Sequence, residues 1–361
     1  MKNSIKELLS KKELFYFIII FMLIFHNYTY NIYGINLRKI SMLILGTTAV
    51  LFGISVIKDI KNNFKNLFLY FAVIFMLIFG IRSLYLSFFI LGISVFIDKK
   101  LTTKYFLQIS TFFYILTIFF YKVGYLREVG DPLTRLENIR YSLGFAHPNT
   151  AMMFLLPIFS LIYYLYYPKY KKSIVLFMIS ISLAVFFVTF SRTTFILIIV
   201  FLILVFLNDK IIDKLKNLFL LEGFIIVLFS LVFPFIFSRE NIFNRLLSGR
   251  LSLFHIYLTT KKITMFGDMG VLKGYLSLPL DNSYLRILFE NGVVGFILLL
   301  ILNYVVMSLL FKNKDYKAVR IYSILLILAF MEGGAFSFYL NILCVILPIY
   351  MNKYIFQKYI K

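Results

Sequence analysis

Long apolar runs separated by short charged segments fill almost the whole chain. Most are long enough to cross the roughly 30 Å of hydrocarbon that about 20 helical residues span. Cut at the charges, the pattern predicts twelve helical spans, at approximately 14–32, 40–57, 67–81, 83–97, 105–121, 148–167, 173–190, 193–208, 218–237, 283–311, 319–336 and 338–354. The expected fold class is all-α: a polytopic integral membrane protein forming one transmembrane domain over 1–361. A β-barrel is excluded, because its strands would alternate in polarity over segments of about ten residues. Two longer segments, 122–147 and 238–282, interrupt the runs, and the second contains an amphipathic stretch, RLSLFHIYLTT, around 250–260. There is no internal repeat and no soluble catalytic domain, so any chemistry is expected in or beside the membrane.

Composition agrees with the pattern. The chain is 61% hydrophobic and 15% charged, with mean hydropathy +0.90; soluble domains run about 45–50% apolar and about 25% charged. The first residues, MKNSIKELLSKKELF, lead into apolar sequence with no small-residue cleavage site, so the first span is expected to be retained. Cys344 is the only cysteine, which excludes an intramolecular disulfide and a cysteine metal cluster. Trp is absent and Tyr numbers 26, so runs such as IYYLYYP at 162–168 are expected to supply the interfacial belt.

Charge then orients the chain. With the N-terminus in the cytoplasm, KDIKNNFK, DKKLTTK, PKYKK, NDKIIDKLK and KNKDYK all fall on the inner side, as the positive-inside rule demands. The expectation is a bacterial plasma-membrane protein with both termini cytoplasmic. Of the arginines, only Arg320 then lies inside. Topology does not require arginine outside. A guanidinium presents a fixed fork of donors that matches phosphate or carboxylate, so an anionic ligand is expected on that face.

Three helix entrances on the outer side carry polar signatures: AHPNT before span six, SRTT at 191–194, and LDNSY at 280–284. Pro148 suits the first helical position, where its missing N–H costs nothing. Asn149 is then expected in the first turn with a free amide. Ser191, and Asp281 or Asn282, are expected caps, whereas His147 is not needed as one. Arg250 follows the flexible pair Ser248–Gly249. Glu222 and Glu332, near span ends, are expected to snorkel or pair. GVVG at 292–295 and Gly333–Gly334 are expected to permit close helix contact.

The ordered set RYSLGFAHPNT, FSRTTF, SGRL and DNSYLRILFENGVVG, over about 140–300, resembles the bacterial polysaccharide polymerase and O-antigen ligase superfamily. Within it the chain looks most like Wzy-type repeat-unit polymerases of capsules and exopolysaccharides in Gram-positive bacteria. The resemblance implies a GT-C-like, metal-independent glycosyltransferase without cofactor, acting at the outer face on undecaprenyl-pyrophosphate-linked glycans. It implies membrane lipids, flippase and chain-length regulator proteins as partners, and no nucleic acid. Arg192 and Arg250 match motif arginines that contact the lipid pyrophosphate. Arg140, Asn149 and Asn282 are further expected substrate contacts. Superfamily ligases carry a functional histidine just before the helix that DNSY begins; here Asp281 and Asn282 stand there. The expected catalytic base is His147 or Asp281. The alternatives are a ligase transferring finished glycan to an acceptor, and a transporter or flippase for lipid-linked sugar.

Overall fold

The computed structural model describes residues 99–127, 140–167, 169–237, 241–268 and 280–336, with part of a helix between 17 and 28. The predicted spans 40–57, 67–81, 83–97 and 338–354 lie outside the described residues.

The described chain is helical: α1 Lys99–Lys122, α2 Pro148–Met153, α3 Leu155–Tyr166, α4 Lys171–Thr189, α5 Arg192–Phe206, α6 Asp209–Lys214, α7 Lys216–Phe237, α8 Ile242–Leu246, α9 Arg250–Thr260, α10 Ser283–Lys312 and α11 Tyr316–Met331. Among the described residues, five stretches are long and apolar enough to cross a membrane: 102–122, 148–166, 171–189, 216–237 and 283–312. The described residues therefore form an all-helical fold whose length and apolar composition fit a polytopic membrane protein.

Proline and glycine explain where these helices deviate. Pro157 has no N–H to give the carbonyl four residues back, that of Met153, and the run 148–166 breaks into α2 and α3 at Phe154. Pro234 sits inside α7 and cannot donate to the Ser230 carbonyl in the same way. Gly292 breaks α10 with φ 70° and ψ −174°, a conformation outside the helical region that glycine tolerates. α11 stops at Met331, five residues short of its predicted end, so Glu332 stands beyond the helix.

The chain divides into two compact units. The first runs through α1 to α4 and the opening turn of α5, with the helical residues between 17 and 28. Its core is aromatic. Tyr28 stacks edge-on with Phe154 at 4.7 Å, and Phe113, Tyr114 and Phe145 surround the pair. The two buried tyrosines spend their hydroxyls on backbone: Tyr28 donates to Ser110 O at 2.9 Å and Tyr114 to Ala151 O at 3.1 Å. A polar handle on an apolar ring fixes register while satisfying the hydroxyl.

The second unit holds the rest of α5 through α11. α7, α10 and α11 pack on one another, and α9 lies against α7. Arg320 of α11 closes one end of α5. Its guanidinium donates to Leu204 O at 2.8 Å and Leu207 O at 2.6 Å, and pairs with Asp209 at 2.6 Å. A cation over the C-terminal carbonyls of a helix is favoured by the helix dipole. Within the bundle, Ser323 donates to Glu222 Oε1 at 2.6 Å and Tyr322 to Asn303 Oδ1 at 2.6 Å. Glu222 is thus hydrogen-bonded inside the bundle.

Candidate functional site

The first unit gathers Arg140, His147 and Asn149. Leu143 and Gly144 both take positive φ, 54° and 84°, and turn the chain into α2. Gly144 is required there: a Cβ would meet Leu126 Cδ1 and Tyr121 Cβ at 3.0 Å. Pro148 begins α2, as expected from its fixed φ.

His147 departs from expectation. It is the N-cap of α2, with extended backbone at φ −156°, and its Nδ1 accepts the Asn149 N–H at 3.1 Å. The imidazole thereby satisfies one of the four donors a helix start leaves over. The ring is exposed. Asn149 also departs from expectation: its amide is engaged, with Oδ1 accepting from Arg140 Nη2 at 2.8 Å. Arg140 Nε donates to Thr189 O at 3.1 Å, and the Tyr141 N–H reaches Val188 O at 3.1 Å. Arg140 therefore ties the entrance of α2 to the end of α4.

Arg192 opens α5 after Phe190, which takes the left-handed conformation at φ 47°. Its side chain is exposed and forms no hydrogen bond or ion pair with the described residues. The expected cap, Ser191, makes no capping bond. Its Oγ and that of Thr194 are buried without a hydrogen-bond partner among the described residues.

The second unit gathers Arg250, Asp281, Asn282 and Glu332, where the start of α9, the start of α10 and the end of α11 converge. Arg250 is buried as the first residue of α9. Its Nε lies 3.3 Å and its Nη2 3.2 Å from Asp281 Oδ2, and Nη2 lies 3.5 Å from Glu332 Oε1. Both contacts to Asp281 fall on one oxygen, and Oδ1 takes neither. The Arg250 side chain is 8% exposed and that of Glu332 13%, against 35% for Asp281. Asp281 is the open side of the cluster.

Burial pushes the Glu332 carboxyl up to about 7, with Arg250 opposing the rise and Asp281 adding to it. The Arg250 contact to Glu332, at 3.5 Å, is the longer of its two carboxylate contacts, that to Asp281 being 3.2 Å.

Asn282, rather than Asp281, caps α10. Its Oδ1 accepts the Leu285 N–H at 2.9 Å, and its Nδ2 donates to Ser230 Oγ at 3.0 Å, with no exposed surface. A residue committed in this way is a positioning residue: it fixes the first turn of α10 and the direction of Asp281 beside it. Ser283 Oγ continues the lattice, donating to Glu332 O at 2.6 Å and accepting from the Ala335 N–H at 3.1 Å. Gly333 permits the Leu280 carbonyl to approach the end of α11.

The partnership of Glu332 with Arg250 was not identifiable from sequence beyond the expectation that Glu332 would pair. The one signal was an acidic residue followed by two glycines at a span end. Ser230, the partner of Asn282, left no signal at all. His255 packs edge-on against Phe235, with ring centroids 5.2 Å apart. No three of His, Cys, Asp or Glu cluster as a metal site among the described residues.

No protein-family model, no curated protein and no solved structure matches the chain.

Proposed function

We propose that the chain is a membrane glycosyltransferase that polymerises undecaprenyl-pyrophosphate-linked repeat units, and that Asp281 and Arg250 carry its chemistry. What supports the reading is one relationship within the second unit. A buried guanidinium holds one oxygen of a partly exposed carboxylate and leaves the other uncommitted to it.

The reaction asks for such a pair. A hydroxyl of the incoming lipid-linked repeat attacks the anomeric carbon of the growing glycan. A new C–O bond forms there while the bond to pyrophosphate breaks, and undecaprenyl pyrophosphate departs with the electron pair. The hydroxyl proton must go to a base, and a placed base contributes about 10²–10⁴-fold. Asp281 accepts it at Oδ1, while Arg250 on Oδ2 fixes the direction of the carboxylate. Asn282 supports this from behind by fixing the first turn of α10.

The pyrophosphate oxygens gather charge as the bond breaks, and fixed cations stabilise such charge. An arriving phosphate oxygen competes with Glu332 for Arg250 Nη2, the longer and weaker of that nitrogen's two carboxylate contacts. Arg192, in the other unit, is a separate candidate anion contact. His147 is assigned a capping role, because its Nδ1 already accepts a hydrogen bond.

The test is polymer formation by the purified full-length protein on lipid-linked repeats. R250K keeps the charge but cannot contact two groups through a rigid fork. Loss of most polymer with intact lipid-linked repeats supports the reading. Normal polymer from a folded R250K protein contradicts it.

A further inference from the structure

We propose that residues 261–268, KKITMFGD, form a membrane-dipping loop that seats the head of α10 in a leaflet containing anionic phospholipid. The inference stands on packing within the second unit and does not depend on the reaction proposed above.

It begins with the break at Gly292. An intact helix would give the Val293 and Val294 N–H groups to the carbonyls of Phe289 and Glu290. Instead, Val293 donates to Thr264 O at 3.0 Å and Val294 to Met265 O at 3.1 Å, while Asp268 N–H reaches Phe289 O at 2.9 Å. The loop backbone therefore replaces the helical partners that the break removes. Such exchange is how irregular backbone is tolerated near hydrocarbon. Gly267 and Gly292 make the approach possible. A Cβ on Gly267 would overlap Glu290 O and Asn291 N, and one on Gly292 would overlap Met265 O and Gly267 N.

Ile263 is 45% exposed, Met265 59% and Phe266 72%. Lys262 is exposed beside them and Lys261 is half-buried. Five residues past the break, α10 presents Ile297, then Leu298 and Ile301, each about half exposed. They belong to a stretch apolar enough to cross a membrane. At 1.5 Å per residue, Ile297 lies only about 7.5 Å along the helix from Gly292. The hydrocarbon that covers Ile297 therefore begins within about two turns of the loop.

That placement chooses the occupant. Three apolar side chains on a fixed backbone, preceded by two lysines, match the boundary between acyl chains and headgroups. The rings and branched chains enter the acyl region, while lysine stems reach back to phosphate. Adjacent lysines favour an anionic headgroup over a zwitterionic one.

The chain has no tryptophan, so a single introduced one reports alone. The experiment uses the full-length protein carrying F266W, or M265W should the first fail to fold, in nanodiscs of phosphatidylglycerol with phosphatidylcholine. Expected are blue-shifted emission, strong quenching by lipids brominated on the acyl chain, and weak quenching by aqueous acrylamide. Adding K261E/K262E should lower the bromolipid quenching roughly twofold. Exposed-type emission without bromolipid quenching would place the loop in water and overturn the proposal. Blue-shifted emission without bromolipid quenching would overturn it in favour of a protein partner or second copy. Bromolipid quenching unaltered by the charge reversal would overturn the choice of anionic lipid.

Discussion

The backbone N–H of Asn149 points at the Nδ1 of His147, 3.1 Å away. A backbone N–H can only donate, so Nδ1 must keep its lone pair for it. The neutral ring then carries its proton on Nε2 and has no second lone pair to receive one. A histidine held in this way caps a helix, and its Nδ1 could serve as a general base only by giving up that contact. H147N, which supplies a good capping side chain, should keep both fold and polymer formation. H147A should lose about 1 kcal/mol of stability or less. Thermal unfolding and the polymerisation assay check this together, and an inactive but folded H147N protein would return the catalytic role to the ring.

Glu332 gives a dependence on pH. Its carboxyl, raised by burial to about 7 from an ordinary 4.5, holds its proton more tightly in the folded protein than in the unfolded chain. Stability from that proton is complete below about pH 4.5 and is lost as the pH rises through about 7. Thermal melts of the wild-type protein should therefore fall across this window, and E332Q, which cannot ionise, should flatten the fall. Equal slopes for the two proteins would show that Glu332 is not buried beside Arg250 as described.

Gly267 and Gly292 offer a contrast with Gly124. All three take positive φ, at 81°, 70° and 81°. A Cβ on Gly124 meets nothing within 4 Å, whereas one on either of the others overlaps backbone. G124A should pay only local strain, about 1 kcal/mol. G267A and G292A should cost more, on the order of 1–3 kcal/mol beyond that strain, because the loop and the broken helix must part. Comparative melts decide it; three equal losses would mean that the loop is not stitched into the break.

Local features of the fold were legible in the sequence where one segment carries its own signal. α1, α4, α5, α7 and α10 lie close to where apolar runs meet flanking charge, and Ser248–Gly249 and Lys261–Lys262 bracket α9. Pro148 behaves as its chemistry demands. What failed was pairing at a distance. GVVG read as a helix-contact motif, but Gly292 receives a loop from residues 264–267 through backbone atoms, which leave no side-chain trace. Ser191 read as a cap and makes no capping bond, while His147, read as unneeded, caps. In the candidate site, Arg250 and Asp281 were both singled out, but their contact joins positions 31 apart. Nothing local assigns Glu332 to the same guanidinium.

Asp281 carries the central claim. D281N keeps the shape of the side chain and an oxygen for Arg250, but it cannot take a proton from a hydroxyl. The full-length protein is reconstituted with lipid-linked repeat units, and products are resolved by length, with D281N shown to melt like the wild type. The account predicts polymer from the wild type. It predicts unextended lipid-linked repeats from D281N, with a loss within the roughly 10²–10⁴-fold that a placed base contributes. Polymer of full length from D281N at the wild-type rate, or none from the wild type, would contradict it.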